Sequence, residues 1–157
     1  MDRKLLLAFP LALCLATSAH ADFYLGVKTG PMLVDIDGAD DPTNVALTLG
    51  YEFGIVVGDL GLEAEFSRTA SDGEVGDEDL EVESDGFYAA FLTPGPVYLK
   101  LRAGVVDNEV IIGDDADSDG GTAFGAGFGL SAGLARFEIE YTRIDSDIDF
   151  VSLGVQF

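Results

Sequence analysis

Apolar and polar residues alternate along most of the chain after residue 21, and this two-residue period is that of a β-strand. The closing stretch DFVSLGVQF shows the alternation clearly, because Leu153, Val155 and Phe157 are separated by small or polar residues. No sustained helical period appears in this part of the sequence. The pattern predicts eight strands, over residues 23–34, 44–54, 60–70, 83–93, 96–107, 120–131, 134–145 and 148–157.

The two faces of the predicted strands differ in composition. One face is almost wholly apolar, as in Val45, Leu47 and Leu49, whereas the residues between them are polar, small or charged. The segment DGFYAAFLT, within 83–93, is apolar on both faces, so its orientation stays open. The connections alternate between short and long, and each segment has about the 9 to 11 residues that a tilted strand needs to cross hydrocarbon.

These features together predict an all-β fold, an eight-stranded antiparallel up-and-down transmembrane β-barrel. A soluble sandwich or barrel shares the alternation but turns its apolar face inward. The alternative to the membrane barrel is therefore a soluble periplasmic β-barrel that binds an apolar ligand. The segment lengths, the even number of strands and the alternating connections favour the membrane barrel, because a soluble barrel requires none of them.

The first 21 residues have the three parts of a secretory signal peptide. Arg3 and Lys4 give a basic start, an apolar run covers residues 5–16, and Ala19-His20-Ala21 is a small-x-small cleavage site. The apolar run is too short to cross a bilayer as a helix, which takes about 18 residues or more. We therefore predict a cleaved signal peptide over 1–21 and a barrel domain over 22–157.

Removing residues 1–21 leaves a strongly acidic chain, with 28 acids, 6 bases and a net charge of −22. It also removes the single cysteine and the single histidine, Cys14 and His20. Disulfides, cysteine nucleophiles, imidazole bases and histidine metal ligands are thereby excluded, and we expect no enzyme activity. The negative charge argues against nucleic acid as a partner and favours cations, while a mean hydropathy of +0.27 argues against disorder.

The mature chain resembles the small outer-membrane β-barrel family of Gram-negative bacteria, the eight-stranded type that includes the OmpA transmembrane domain and OmpX. DFYLGVKTG is similar to the opening strand of that family, GAGFGLSAGLARFEIEYTRID to its sixth and seventh strands, and FVSLGVQF to the C-terminal signal that the barrel-assembly machinery reads. The resemblance implies a monomer in the outer membrane, in contact with its lipid and with lipopolysaccharide. It also implies that Leu153, Val155 and Phe157 form the assembly signal.

An eight-stranded barrel has an interior just wide enough to be filled by side chains. Acidic and basic residues share the polar face, and buried charges have to be paired or neutralised. We therefore predict an ion-pair network that plugs the lumen, made of Lys28, Glu52, Glu63, Glu65, Lys100, Arg102, Arg136, Glu138 and Glu140. The functional alternative for the same residues is a narrow path for cations, as in a small cation-selective channel.

The long connections and the strand ends beside them hold most of the negative charge, 20 of the 28 acids. One connection contains Asp115, Asp117 and Asp119 followed by Gly120, which is the opening of an EF-hand-type calcium loop, although the twelfth position is Ala126 rather than glutamate. Apart from weakly bound Ca²⁺ or Mg²⁺ at such loops, we expect no cofactor.

Two bases, Arg68 and Arg143, fall outside the lumen set, near the loop ends of their strands and on the apolar face. An arginine placed there can extend its guanidinium to the membrane interface, and we predict that both contact lipopolysaccharide phosphates. The function that fits the whole sequence is a structural or surface-interaction role, with acidic extracellular loops and a charge-plugged lumen.

Overall fold

The computed structural model describes residues 21–157, so the predicted signal peptide lies outside this range except for Ala21. The described chain consists of β-strands joined by turns and loops. The strands are β1 (Ala21–Val34), β2 (Ala39–Asp40), β3 (Thr43–Ile55), β4 (Gly58–Ser71), β5 (Gly73–Val75), β6 (Glu78–Leu92), β7 (Val97–Ile112), β8 (Asp115–Ala132), β9 (Ala135–Arg143) and β10 (Ile148–Gln156). Between residues 21 and 157 there is no helix with the length and apolar character needed to cross a bilayer.

Eight of these strands form a closed barrel. Each pairs antiparallel with its neighbours in the order β6, β4, β3, β1, β10, β9, β8 and β7, and β7 pairs back with β6. The ring is continuous between β1 and β10, where Gly26 lies opposite Gln156 and the backbones of Leu25 and Phe157 exchange two hydrogen bonds of 2.9 Å. All eight predicted strands are present, so the prediction of an eight-stranded antiparallel barrel is confirmed.

The two ends of the barrel differ in their connections. At one end, which we call the short-turn end, the strands are joined by residues 56–57, 93–96 and 133–134. At the other, which we call the loop end, the connections are 35–42, 72–77, 113–114 and 144–147. β2 and β5 lie within the first two of these loops and pair with each other, and β5 also pairs with the start of β6. The loop end therefore carries a small extension of the sheet.

Two of the predicted loops are largely strand. The sequence predicts loops at 71–82 and 108–119, but β6 begins at Glu78, and β7 and β8 continue until only Gly113 and Asp114 separate them. The acidic composition suggests a loop, whereas the β-branched residues 110–112 favour a strand. Gly113, at a φ of 58°, supplies the left-handed conformation that a tight turn requires. The result is a hairpin, residues 107–122, which we call the β7–β8 hairpin.

The apolar face of the strands points outward. Phe23, Leu101 and Phe124, like most of that face, are exposed on the outside of the barrel. The soluble alternative, which requires this face inside, is therefore wrong. The register of β6 against β7 settles the open orientation of β6, because Phe87 lies opposite Val105 on the outside. The alternate residues of β6 then face the lumen.

The interior of the barrel has two layers. Charged and polar side chains fill the half towards the short-turn end. The half towards the loop end contains buried apolar side chains from six strands and from the connection between β9 and β10, together with buried polar side chains such as Asn44 and Ser67. This apolar cap consists of Met32, Ala46, Val82, Tyr88, Val106, Ala123, Ile144, Ile148 and Phe150. It is additional to the charge network that the sequence predicts.

Candidate functional site

The polar half of the lumen contains a cluster of buried charged side chains. The nine side chains predicted for the lumen lie inside the barrel, and we call them the lumen network. Seven are almost completely buried: Lys28, Glu63, Glu65, Lys100, Arg102, Glu138 and Glu140. The other two, Glu52 and Arg136, form an ion pair at the short-turn end, with the Nη1 of Arg136 2.8 and 2.7 Å from the two carboxylate oxygens of Glu52.

Two cations join strands that are not neighbours in the sheet. The Nζ of Lys28, on β1, lies 2.7 Å from Glu65 Oε2 on β4 and 2.6 Å from Glu140 Oε1 on β9. The guanidinium of Arg102, on β7, donates to both oxygens of Glu65 at 2.8 and 2.9 Å and lies 2.9 Å from Glu140 Oε1. These contacts cross the lumen, so the network braces opposite walls of the barrel.

Lys100 holds the carboxylates nearer the short-turn end. Its Nζ lies 2.5 Å from Glu63 Oε1 and 3.3 Å from Glu138 Oε2. Two oxygens, Glu63 Oε2 and Glu140 Oε2, accept no hydrogen bond from the described residues. Arg102 Nη1 lies 3.6 Å from Glu63 Oε2 and Lys100 Nζ lies 3.4 Å from Glu140 Oε2, so each oxygen has a positive charge nearby.

Neutral donors that the sequence analysis did not identify complete the network. Tyr24 donates its hydroxyl to Glu63, and Tyr98 donates to Glu138 Oε1 at 2.8 Å. Gln156 donates to Glu138 Oε2 at 2.7 Å, and Thr48 donates to Glu65 at 3.1 Å. All four lie on the inward parity of their strands, and this position is the signal that could have found them.

Inward-facing glycines make room for the largest of these side chains. A Cβ on Gly50 would overlap the ring of Tyr24, and one on Gly129 would overlap the ring of Tyr98. A Cβ on Gly125 would lie 2.9 Å from the Cγ of Arg102. The lumen has a fixed width, so a large side chain on one strand requires a small one on the strand beside it. The run of alternating glycines in β8 follows from this packing.

Together the two layers close the lumen. Each buried cation of the network contacts at least two carboxylates, and the apolar cap lies between the network and the loop end. Fixed, paired charges leave little freedom for an ion to be exchanged, and a cluster of packed apolar side chains is a barrier to ions. The geometry therefore matches a filled barrel better than a conducting one.

The two arginines predicted to contact lipopolysaccharide both lie on the outside, near the loop end, and both are paired. Arg68 lies 2.6 Å from Asp85 Oδ1 and 3.1 Å from Glu83 Oε2. The Nε of Arg143 lies 3.1 Å from Asp149 Oδ1. Each guanidinium already has a carboxylate beside it, so neither is an isolated positive charge.

The predicted metal ligands are not brought together. Asp115, Asp117 and Asp119 lie on β8, paired with β7, rather than in a loop that could wrap around an ion. Alternate residues of a strand are spaced about 6.6 Å apart along it, so their carboxylates cannot converge as those of an EF-hand loop do. No group of three or more histidine, cysteine, aspartate or glutamate side chains within residues 21–157 has a geometry that could hold a metal ion.

The residues of the predicted assembly signal lie on the outer surface of the barrel. Leu153 and Phe157 are exposed and Val155 is half-buried, on the strand that closes the ring against β1. All three belong to the outward apolar face.

Comparisons with known proteins agree with this architecture. Residues 5–157 match the family described as outer membrane protein beta-barrel domain. No curated protein sequence matches the chain. Among solved structures, Ail, the attachment invasion locus protein of Yersinia pestis in complex with the heparin analogue sucrose octasulfate, is similar at 18% identity, with a TM-score of 0.59 and coverage of 88% of this chain and 99% of that chain.

Two further structures are similar to this chain. Neisserial surface protein A has a TM-score of 0.62 at 15% identity, covering 87% of this chain and 97% of its own. The N-terminal β-barrel domain of Pseudomonas aeruginosa OprF has a TM-score of 0.50 at 13% identity, covering 88% and 98%. At these identities the likeness concerns the fold alone.

Proposed function

Because the chain belongs to the outer membrane protein beta-barrel domain family, we propose that this outer-membrane protein is a closed, non-catalytic barrel that presents an acidic surface to cationic partners outside the cell. The observation that carries the proposal is the division of the molecule into a filled lumen and a protruding, acidic loop end. In this family the long connections face the exterior and the short turns face the periplasm.

The filled lumen supports a structural or surface-interaction role over transport. A cation path would need an open route past Lys28, Lys100 and Arg102, whose nitrogens lie within 2.9 Å of carboxylate oxygens. It would also need a gap in the apolar cap, whose members Met32 and Val82 have no exposed surface. The cation channel therefore stays the second candidate, and no contact within the lumen favours it.

The β7–β8 hairpin supports the acidic interaction surface. Residues 107–122 include six acids and no base. Among the described residues, β8 has no strand partner on its β9 side before Phe124, so the exposed backbone edge from Asp115 to Thr122 is open. The N–H of Gly120, for example, donates to the side chain of Asp119 rather than to a strand. An extended segment could pair with such an edge, and the acids around it favour one that carries lysine or arginine.

The same charge distinguishes this chain from one of its structural neighbours. Ail is described in complex with a heparin analogue, sucrose octasulfate, which is strongly anionic. The acidic loop end of this chain would repel that ligand, because like charges in close contact cost free energy. We therefore propose a partner of opposite charge for this protein.

We also propose that the exposed ion pairs contact lipopolysaccharide. Arg68 and Arg143 are placed at the edge of the outward apolar face, where the phosphates of that lipid would lie. Since Glu83, Asp85 and Asp149 already neutralise them, contact with a phosphate would involve Ca²⁺ or Mg²⁺ as a bridge. Any metal held by the β8 carboxylates would be weakly bound for the reason given above. We further propose that the protein is a monomer and that the barrel-assembly machinery inserts it into the membrane.

The experiment that tests the proposal measures binding of two fluorescent probes to the protein in phosphatidylcholine vesicles. We expect an oligolysine peptide to bind and labelled sucrose octasulfate not to bind. Replacing Asp115, Asp117 and Asp119 together with asparagine should weaken peptide binding about tenfold or more at low salt, because three charges near the edge are lost.

The control at the opposite end of the barrel neutralises two acids, with Asp22→Asn and Asp59→Asn, and should leave binding of the peptide unchanged. Tighter binding of the octasulfate than of the peptide would contradict the proposal. So would equal loss of peptide binding in the control variant.

A further inference from the structure

The short-turn end carries apolar side chains at positions where hairpin turns normally carry polar ones. β3 and β4 are joined by Val56 and Val57, with Ile55 opposite Gly58. Two-residue turns favour asparagine, aspartate and glycine, and β-branched residues are poor choices for them. Val56 is 103% exposed and Val57 64% exposed on the isolated chain. The turn therefore has a sequence that is unfavourable for a two-residue turn, and it exposes two apolar side chains.

The same feature recurs on the opposite side of the barrel. β8 and β9 are joined by Gly133 and Leu134, and Leu134 is 94% exposed. In the order of the ring, β1 and β10 separate the two turns on one side, and β6 and β7 separate them on the other. The two apolar turn tips are therefore diametrically opposed.

Further apolar side chains fill the circumference between them. Phe23 and Phe157 are exposed where β1 and β10 meet, and Val97 is exposed at the start of β7, after the uncharged turn Thr93-Pro94-Gly95-Pro96. None of the eight residues in the three short turns is charged. We call this set the apolar collar: Phe23, Val56, Val57, Val97, Leu134 and Phe157.

The charges of this end face the lumen rather than the surroundings. Asp22 lies opposite Glu52 on the inward positions of β1 and β3, and Asp59 lies beside them on the inward position of β4. Arg136 bonds Glu52 across the mouth. The outer rim of the short-turn end is therefore apolar all the way round, while its inner rim is polar.

We propose that the apolar collar is embedded in the lipid of the periplasmic leaflet, at the boundary between acyl chains and headgroups, so that the short turns do not project into the periplasm. Fully exposed apolar side chains at turn tips are unfavourable in water and favourable in lipid. A protein partner would cover one patch on one side. A lipid surface contacts every side at once, and the distribution of the collar around the whole circumference matches the lipid.

The embedding goes beyond the proposed function, because it fixes how deep the barrel sits. It leaves the loop end as the part of the described chain that stands free of the membrane. Recognition of partners in water is then confined to the loop end, where the charged hairpin lies.

The test places a single bimane label at defined depths of the full chain in phosphatidylcholine vesicles, using a Cys14→Ser background. The labelled variants are Val56→Cys and Leu134→Cys at the collar, Phe128→Cys on the outward apolar face, and Asp114→Cys at the tip of the β7–β8 hairpin. Quenching by brominated acyl chains and by aqueous iodide is compared for each label, after a gel-mobility assay confirms that each variant is folded.

We expect labels at positions 56 and 134 to behave like the label at 128, with iodide quenching at least fivefold weaker than at 114 and with strong quenching by brominated lipid. Iodide quenching at 56 and 134 equal to that at 114 would overturn the proposal. Lipid quenching at only one of the two positions would also overturn it, since that result indicates a one-sided patch for a protein partner.

A second measurement uses charge instead of labels. Val56→Asp combined with Val57→Asp should slow insertion into preformed vesicles several-fold, because each insertion then carries two carboxylates into the interface. The control, Ser118→Asp combined with Thr122→Asp on the β7–β8 hairpin, adds the same two charges at the loop end and should insert at the wild-type rate. Equal insertion rates for the two variants would contradict the embedding.

Discussion

Arg102 is the residue whose loss should destabilise the barrel most clearly. Its guanidinium holds Glu65 through two hydrogen bonds of 2.8 and 2.9 Å, lies 2.9 Å from Glu140 and donates to Thr142 at 2.7 Å. It also stacks over the ring of Tyr88, 4.0 Å from the centroid. In an Arg102→Met variant the volume is largely kept, but Glu65 and Glu140 each lose one of their cationic partners and share Lys28 as the close one that remains.

The expected loss in the free energy of unfolding follows from the burial of Arg102 and Glu65. The side chains of Arg102 and Glu65 are 1% and 5% exposed, so water cannot replace the lost contacts. Breaking a buried ion pair by removing one partner costs about 3 to 5 kcal/mol, because an uncompensated charge remains in a poorly solvated site. At about 1.4 kcal/mol per factor of ten, the folding equilibrium constant should fall by roughly two to three and a half orders of magnitude.

Arg68→Met is the matched control, since it removes the same group from an exposed pair. Its side chain is 47% exposed and that of Asp85 is 49% exposed. Exposed pairs contribute about 0 to 1 kcal/mol, so Arg68→Met should be close to the wild type in the free energy of unfolding.

The assay is urea unfolding in short-chain phosphatidylcholine vesicles, followed by circular dichroism and by the difference in gel mobility between folded and boiled protein. The chain has no tryptophan, so intrinsic fluorescence would depend on its five tyrosines, several of them within the lumen. Equal destabilisation by Arg102→Met and Arg68→Met, or a cost below about 1 kcal/mol for the former, would refute the view that the lumen network is dry and cooperative.

Two other predictions concern packing and conduction. Gly50→Ala should destabilise the barrel by about 1 to 3 kcal/mol in the same urea assay, because the added methyl overlaps the ring of Tyr24, whereas Gly121→Ala should be nearly neutral because open space surrounds that position. In the Tyr24→Ala background the cost of Gly50→Ala should largely disappear, and its persistence would show that the ring is not the cause. In planar bilayers the wild-type protein should give no steady cation conductance, because the apolar cap and the paired charges close the lumen. A sustained cation-selective current would favour the channel alternative instead.

The strands and the lumen network could be predicted because each depends on a local rule. Alternation at positions such as Lys100 and Arg102 assigns a face, and a barrel of eight strands makes the polar face the inside. Burial of charges in a narrow space then implies pairing. Which charges pair could not be predicted, since Lys28 bonds residues on β4 and β9 that only the closed ring brings together.

The parts that sequence analysis missed depend on tertiary context. Met32 and Phe150 lie on the inward parity of their strands, like Lys28 and Gln156, but they are apolar on a face that is otherwise mostly polar, and only the closed barrel shows that they pack together in the apolar cap. The acidic composition of the β7–β8 hairpin predicts a loop, although Gly113 and the β-branched residues before it favour a hairpin. The spacing of the carboxylates in that segment also resembles a calcium loop, because a sequence motif does not show whether its backbone is curved or extended.

The pairing of β1 with β10 also has a consequence for how the molecule forms. The ring is completed by contacts such as Val27 with Val155, which join residues from nearly opposite ends of the described chain. Contacts of such long sequence separation require a large loss of chain entropy before they contribute any stability, and they form slowly. Until they form, β1 and β10 are two free strand edges that can pair with other chains. Closure of this barrel is therefore the step most exposed to misassembly, and a slow, late kinetic phase should report it.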